Sequence, residues 1–334
     1  MAACDKINAG GGTEEEHKHE MILVEGVNPT AFTDGYRSSY RCTSCDKYYL
    51  DEHGRIEIGD KVAWENWKTE SGEGLLPRPK YLCFTAEEAG STLIIKFKAI
   101  DDHGNPDESL IPDENLIPVL DYTTDGTTWT RYEVNSQIVT LANIGDKVAF
   151  KGNNMTLSDG SSFTNFEMTG RIAASGDVFS ILNPGSSSNY WCHRLFEDCK
   201  SLTTAPELSS ESLVTGCYRF MFFGCTSLTK APNLPARELT TMCYLGMFDG
   251  CTSLENAPEL PAKDLAFMCY SNMFYDCNSI KSIKADFLVA DKNALDKWIP
   301  KESSGTFYRN PAATWTREEA LIPESWTIVD SADQ

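Results

Sequence analysis

The sequence is poor in basic residues, in histidine and in long apolar runs. It carries 29 lysines and arginines against 49 aspartates and glutamates, a formal net charge of −20, and only 5 histidines. Such a charge repels nucleic acid and anionic membrane surfaces, so we expect neither as a partner. No run of about 18 apolar residues occurs, so no transmembrane helix is predicted.

The first residues also lack the apolar core of a signal peptide. They read MAACDKINAGGGTEEE, in which Ala2-Ala3-Cys4 resembles the end of a bacterial lipobox. On this interpretation Cys4 bears a lipid, and that anchor is the protein's one contact with a membrane. The alternative is an exposed cysteine in a disordered tail. We therefore expect either an outer-membrane lipoprotein at the cell surface or a secreted protein.

Motifs that carry catalysis are missing as well. The sequence has no nucleophile with a base in a defined motif, no paired carboxylates at a defined spacing, and no strand–glycine loop–helix pattern for a phosphate. His193, in WCHRLF, is the remaining candidate base, and we expect it to lie at a domain junction with its ring satisfied by the backbone. The sequence predicts a protein that is not an enzyme.

What the sequence has instead is one unit written four times between Cys192 and Ile283, with a period of 26 residues. The clearest copy is CYRFMFFGCTSLTKAPNLPARELTTM, and the next begins CYLGMFDGCTSLENAPELPAKDL. We number the units 1 to 4 from their first cysteines. A period of this length is typical of a solenoid, in which each unit buries its apolar face only by stacking on its neighbours.

Eight of the 12 cysteines recur at two positions of this unit. The two columns are Cys192, Cys217, Cys243 and Cys269, and Cys199, Cys225, Cys251 and Cys277. Side chains at equivalent positions of stacked units point the same way, which does not suit the dihedral angle of a disulfide. We predict buried free thiols that pack as small hydrophobic residues.

A Cys-x2-Cys pair, Cys42 and Cys45, follows a His-x-His pair, His17 and His19, near the N-terminus. Two thiolates and two imidazoles suit tetrahedral Zn²⁺, and a module of about 40 residues is small enough to need such a staple. We predict a zinc site at these four residues. A redox pair and two unrelated thiols in a small hairpin are the alternatives.

The same segment resembles a small cysteine module of bacterial cell-surface proteins, which reads HxHxL…ATCTxxG…YxCxxCGKxFxDxxGxxEI. The resemblance includes Tyr40, Lys47 and Gly54 beside the four candidate ligands. Ala31 departs from it, because the module usually has a cysteine there, and His53 could replace that cysteine as a ligand.

Between Pro77 and Pro184 the pattern changes to short alternating runs rich in threonine, valine, isoleucine and aromatic residues. Turn signals separate these runs, and no segment has helical periodicity over the length of a helix. Strands are predicted near 80–86, 92–98, 117–122, 128–133, 138–142, 146–151, 164–171 and 177–182, which indicates an antiparallel β-sandwich. Tyr122, Trp129 and Tyr132 could form an aromatic platform for a glycan, although cross-strand packing is the commoner role.

The predicted fold class is mainly β: a small Cys/His module, an antiparallel β-sandwich, and a short solenoid of 26-residue period with a C-terminal cap. The predicted parts are a disordered tail 1–16, the Cys/His module 17–58, a linker 59–76, the β-sandwich 77–185, the solenoid 186–290 and a capping unit 291–334. The cap begins with a predicted helix near 291–298 and shields the last open core of the solenoid.

The repeat CYxxMFxGCTSLTxAPELPAxxL and the closing GTFYxNPxATW…IPxSWTIVD resemble BspA-like leucine-rich-repeat proteins of Bacteroides-type bacteria. The upstream text YLCFTAEEAGST…YTTDGTTWT is similar to the β domain that often precedes such repeats. This resemblance covers about residues 77–330. It implies a surface-attached or secreted protein with a role in adhesion or partner binding, and it brings no catalytic residues.

In leucine-rich repeats the side chains between the held strand positions point outward, and that face is the usual recognition surface. The predicted partner-binding columns are Thr203, Thr229, Glu255 and Lys281; Thr204, Lys230, Asn256 and Ser282; and Glu207, Asn233 and Glu259. A solvated sheet without a ligand is the alternative for any one of them. We expect a host or bacterial surface protein as the partner. A glycan-binding accessory protein and a structural or receptor-binding protein of a phage particle are the other classes that fit.

Overall fold

The computed structural model describes residues 20–69, 73–300 and 302–331. The chain divides into two compact units, Met1–Pro79 and Lys80–Gln334, and we describe each by itself. Mainly β structure, which the alternating pattern predicted, is confirmed by 28% strand against 5% helix and by several antiparallel sheets.

The N-terminal unit is built on short strands and one helix. Its elements are β1 (Met21–Val24), β2 (Gly35–Tyr36), β3 (Ser39–Cys42), β4 (Tyr48–Tyr49), β5 (Glu57–Gly59), α1 (Lys61–Trp67) and β6 (Leu75–Leu76). An antiparallel sheet has the order β1-β3-β4-β5, and β2 pairs with β6.

Helix α1 corrects the prediction that 59–76 is a linker. It begins at Asp60, whose carboxylate accepts the Ala63 N–H at 2.9 Å. Its one buried residue, Trp64, stacks on Tyr48 at 4.5 Å and donates to the Ser39 hydroxyl at 2.9 Å. The segment therefore packs on the module, because the capped helix offers an indole that the sheet can bury.

The C-terminal unit begins with two antiparallel sheets. Their strands are β7 (Leu82–Ala86), β8 (Ser91–Ala99), β9 (Leu120–Thr123), β10 (Thr130–Arg131), β11 (Ile138–Leu141), β12 (Lys147–Gly152), β13 (Ser162–Thr169), β14 (Ile172–Ser175) and β15 (Leu202–Thr204). One sheet has the order β10-β9-β12-β7-β14-β15, the other β11-β8-β13. The sheets face each other across a shared core, where Phe84 and Phe150 lie 5.2 and 5.8 Å from Phe166.

The last predicted strand, 177–182, is wrong. Its centre, Val178–Ile181, is a 3-10 helix, and a second 3-10 helix lies at Glu114–Leu116. The Asp177 side chain accepts the Phe179 N–H at 2.9 Å and starts the turn, while Val178 and Ile181, three residues apart, both point into the core. The strand that completes the sheet here is β14.

Beyond Tyr190, equivalent residues of successive units stack on one another. Phe196, Phe222, Phe248 and Phe274 lie face to face, with centroids 5.4, 5.6 and 5.8 Å apart. Two kinds of backbone hydrogen bond alternate along each turn. The Cys192 N–H donates to the Cys217 carbonyl of the next unit at 3.0 Å, whereas the His193 N–H donates to the Tyr190 carbonyl at 2.9 Å.

The helix predicted near 291–298 is also wrong. These residues form a fifth turn of the same kind, because they accept hydrogen bonds from unit 4: Tyr270 N–H donates to the Ala294 carbonyl at 3.1 Å, and Phe274 N–H to the Trp298 carbonyl at 3.1 Å. The apolar spacing of Ala294, Leu295 and Trp298 suits this turn as well as it suits a helix.

One edge of the first sheet continues along the repeats. Parallel pairing joins β14 to β15, single bridges join Thr204 to Lys230 and Asn256 to Ser282, and β16 (Ser282–Ala285), β17 (Gly305–Arg309) and β18 (Trp326–Asp330) pair in parallel. The strand predicted in every unit is reduced to single bridges in the middle units, where each segment contains a proline that cannot donate. A single apolar core extends from Leu82 to Trp326.

Candidate functional site

A shallow groove of about 620 Å³ lies where β14 meets the strand segments of units 1 and 2. Alanines and prolines form much of its lining: Ala174, Ala205, Ala231, Pro206 and Pro232. Four residues of the predicted binding columns also line it: Thr204, Glu207, Lys230 and Asn233. The fold therefore brings part of the predicted surface together around a concave, mostly uncharged floor.

Backbone pairing with β14 and the residues that follow it creates the groove. Ala205 N–H donates to the Lys230 carbonyl at 3.3 Å, and Glu207 N–H donates to the Gly176 carbonyl at 2.7 Å. Gly176 has φ +71°, and a Cβ there would lie 1.9 Å from the Tyr81 carbonyl oxygen. This corner of the groove therefore requires glycine.

The charges of the groove are unequal. Lys80 Nζ lies 2.7 Å from Glu207 Oε2, and this hydrogen bond raises the pKa of Lys80 above its ordinary value. Lys230 is exposed and makes no ion pair with any residue in the described ranges. The groove thus offers a neutralised carboxylate and an unpaired ammonium group, which suits an extended chain with small apolar side chains and one acidic group.

The other predicted binding residues lie mostly on the surface. Thr229, Glu255, Asn256 and Glu259 are exposed, and Glu259 pairs with Lys284 at 3.2 Å. Thr203 is a correction, because its side chain is only 3% exposed and its hydroxyl donates to the Ile172 carbonyl at 3.3 Å. β14 covers unit 1 at this position, whereas Thr229 at the same position of unit 2 is free of that cover.

Sequence reasoning missed the residues that β14 and its neighbours contribute. Ser175, Gly176 and Lys80 precede the repeats, so the 26-residue period gives no signal for them. Parallel pairing between β14 and β15 brings them to the repeat face, and such pairing depends on the whole fold rather than on a local pattern.

The candidate zinc ligands are only partly described. Cys42 is buried at the end of β3, and Cys45 Sγ lies 3.6 Å from the Tyr49 hydroxyl. His17, His19 and Cys4 lie outside the described residues. Within the described ranges no group of three or more histidine, cysteine or acidic side chains could hold a metal. The two thiols could supply half of a tetrahedral zinc site, so the prediction rests on His17 and His19.

The two residues that depart from the cysteine module are placed apart in their exposure. Ala31 is buried, and the structure gives it no metal-ligating group. His53 is exposed, with Nε2 at 3.5 Å from Glu52 Oε1.

The aromatic residues of the sandwich pack rather than form an exposed platform. Tyr132 is buried, Tyr122 packs edge-on against it at 5.7 Å, and Trp129 packs against Tyr81 at 4.9 Å. Burial raises the pKa of Tyr132 to about 12, and its hydroxyl donates to the Gln137 carbonyl at 2.5 Å. Cross-strand packing accounts for these rings.

The repeat cysteines are buried free thiols, as predicted. Burial raises their pKa values; that of Cys269 reaches about 12. A thiol with so high a pKa is not a nucleophile at neutral pH.

His193 is buried, but its ring is not satisfied by the backbone. Nδ1 lies 3.5 Å from the Ser158 hydroxyl, and Nε2 has no hydrogen-bond partner among the described residues. Burial, then the positive charges of Arg194 and Arg219, lower the pKa of His193 well below its usual range. The imidazole is therefore neutral at physiological pH.

In the described part of the chain, no helix has the length and apolar character needed to cross a bilayer. Comparison of the chain with family models, with curated proteins and with solved structures gives no match.

Proposed function

We propose that the chain is a non-enzymatic surface protein that binds a protein partner through the groove and the polar columns beside it. In this proposal residues 186–290 are a leucine-rich-repeat solenoid, 291–334 cap it, and the preceding β-sandwich forms one wall of the binding face. The location is the bacterial surface, by a lipid anchor at Cys4 or by secretion. The repeat motif and its resemblance to BspA-like proteins support this assignment.

One observation carries the proposal: the groove gathers Thr204, Glu207, Lys230 and Asn233 from two units and adds a third wall from β14. Concave surfaces with an apolar floor and few polar groups are where proteins usually bind ligands. The partner is a host or bacterial surface protein that presents an extended segment.

The test is binding of the labelled full-length chain to bacterial and epithelial cells. Ala231→Arg fills the groove, and Lys230→Glu reverses its unpaired charge. Each should weaken binding at least about tenfold, the loss of about 1.4 kcal/mol expected when a central contact is removed. Thr252→Arg, at an exposed position that does not line the groove, is the matched control and should bind as the wild type does.

Protease treatment of the cells separates the partner classes. Binding that disappears after treatment indicates a protein partner, and binding that survives indicates a glycan or lipid. Equal binding by the wild type, Ala231→Arg and Lys230→Glu would remove the groove from the account, provided that all the variants melt as the wild type does.

A further inference from the structure

Three buried hydrogen-bond donors without acceptors surround Phe220. They are Nε of Arg194, Nε of Arg219 and Nε2 of His193, none of which has a partner among the described residues. The guanidinium carbons of Arg194 and Arg219 lie 4.8 and 4.9 Å from the Phe220 ring centroid, and the imidazole centroid lies 6.2 Å from it. A buried polar group without a partner costs about 1–3 kcal/mol, so three around one ring require an explanation.

The repeat register places two of these donors in one column. His193 and Arg219 are 26 residues apart, so they occupy the same position of units 1 and 2. Side chains at equivalent positions of stacked units point the same way, as the phenylalanines do. Arg194 belongs to the next column, where its guanidinium lies over the ring of Phe220, also 26 residues on.

The contacts of Ser158 fix the histidine tautomer. The Ser158 hydroxyl oxygen accepts the Gly160 N–H at 3.2 Å, so its own proton is available to His193 Nδ1 at 3.5 Å. A neutral imidazole that accepts at Nδ1 carries its proton on Nε2. Nε2 is therefore a donor, and all three unpaired atoms have the same polarity.

The two arginines differ in how their charge is balanced. Arg194 forms a buried ion pair with Glu197 and donates from Nη2 to the Gly104 carbonyl at 2.6 Å. Arg219 is half-buried and forms no ion pair with a described residue. Leu245 occupies its position in unit 3, so stacking does not require a cation there. A partly buried, unbalanced guanidinium is unfavourable unless an anion accompanies it.

We propose that Arg219, assisted by the Nε2–H of His193 and the Nε–H of Arg194, binds a carboxylate. A guanidinium presents two parallel N–H groups that match the two carboxylate oxygens, which favours this anion over a spherical halide. Tyr190, with its ring 5.8 Å from His193, and Phe220 flank the donors with aromatic surface that limits competing water. Arg219 is half-buried and so is reachable from solvent. The residues are distinct from those of the groove.

Thermal unfolding of the full-length chain tests the proposal. Acetate, at the same ionic strength as a chloride series, should raise the melting temperature in a saturable way, by about 3 °C at tenfold excess over its dissociation constant. Arg219→Leu, which installs the residue that unit 3 already has, should lose this rise. Arg237→Leu removes the same charge from an exposed position of unit 2 and should keep it.

Two further arms sharpen the test. Arg219→Lys keeps the charge but not the fork, and its response should fall toward that of Arg219→Leu. N-acetyl-aspartate amide carries the carboxylate of a protein side chain: a rise like that with acetate identifies a site for a partner's acidic residue, and a rise with acetate alone identifies a small-molecule site.

Three results would overturn the proposal. They are an equal response of the wild type to acetate and chloride, an equal acetate response in Arg219→Leu, and a high-resolution crystal structure grown in acetate with water alone beside Arg219.

Discussion

At the residue scale, the repeats are held by groups that satisfy one another between units. Three thiols lie close to backbone carbonyl oxygens of the preceding unit: Cys225 to Phe196 at 3.0 Å, Cys251 to Phe222 at 3.1 Å, and Cys277 to Phe248 at 2.8 Å. The cysteines are thus hydrogen-bond donors as well as small hydrophobic residues. Their recurrence at a fixed position follows from both properties.

Cys251 offers the clearest test of this donor role. Cys251→Ala should lower the free energy of unfolding by about 1–2 kcal/mol, because the Phe222 carbonyl loses its thiol donor and a small cavity forms. Cys251→Ser should cost less, since the hydroxyl can donate to the same oxygen. Denaturant unfolding of the two variants decides the matter; a serine variant less stable than the alanine variant would show that packing alone selects cysteine.

Asp249 makes a pH-dependent contribution to stability. Burial, then the charge of Asp276, raise its pKa from 3.8 to about 7. Folding therefore favours the protonated form, so the wild type loses stability as pH rises from about 4 to 7 and regains none above it. Asp249→Asn should raise the free energy of unfolding at pH 8 by about 1 kcal/mol, a value reduced for partial exposure, and leave it unchanged at pH 4.

The control for Asp249 is Glu255→Gln, which removes one negative charge from an exposed position of the same unit. Urea unfolding of the three proteins at both pH values provides the measurement. An equal gain for both variants at pH 8 would trace the effect to net charge rather than to the burial of Asp249.

At the scale of elements, β13 terminates the repeat stack. Unit 1 has no preceding unit, so its carbonyl groups need donors from elsewhere. Phe166 N–H donates to the Leu195 carbonyl at 2.9 Å, and the Asn165 amide donates to the Arg194 and Glu197 carbonyls at 3.1 and 3.0 Å. The strand thereby supplies hydrogen bonds that a preceding repeat would otherwise make.

Asn165 should be essential to this junction. Asn165→Asp keeps the shape but turns both amide donors into an acceptor that faces two carbonyls, and should cost about 3 kcal/mol or more. Asn165→Ala leaves the carbonyls without donors and should cost about 2 kcal/mol. Calorimetry on the full-length chain measures both. An aspartate variant no less stable than the alanine variant would contradict the assigned hydrogen bonds.

The Cys/His module gives a metal prediction at the same scale. Protein purified from zinc-replete medium should contain about one zinc per chain, because a tetrahedral site needs two ligands beside Cys42 and Cys45. Cys45→Ser should lower this content, and His53→Asn should not, since His53 lies exposed beside Glu52. A wild-type content below about 0.2 zinc per chain would contradict the site.

The sequence predicts the repeating columns well but not the shape of each turn. Every fourth residue of the first turn has positive φ: Tyr190 at 63°, Arg194 at 59° and Asp198 at 57°. Glycine takes equivalent positions in later units, as at Gly216 and Gly224, but tyrosine and arginine do not signal this conformation. Apolar periodicity reports which side chains are buried, and several backbone paths can bury the same set.

The binding face shows the same limit. Thr204, Lys230 and Asn233 could be found from the period, because exposed positions recur as regularly as buried ones. The burial of Thr203 and the wall that includes Ser175 and Gly176 could not, because they depend on pairing between segments that share no pattern.

At the scale of the whole molecule, residues 80–331 pack around one core, in which the sandwich and the repeats are continuous. Phe84 contacts Phe166 and Phe196, and Phe196 begins the phenylalanine stack. A groove built jointly by β14 and units 1 and 2 keeps its shape only if these parts move and unfold together. That joint construction is the central claim of our account.

Native-state hydrogen exchange on the full-length chain tests this claim most directly. The most protected amides of the sandwich, such as Phe166, and of unit 2, such as Phe222, should exchange with the same free energy and the same dependence on denaturant. Asn165→Asp should lower both by the same amount. Exchange of Phe222 at a distinctly lower free energy, with Phe166 still protected, would contradict the account.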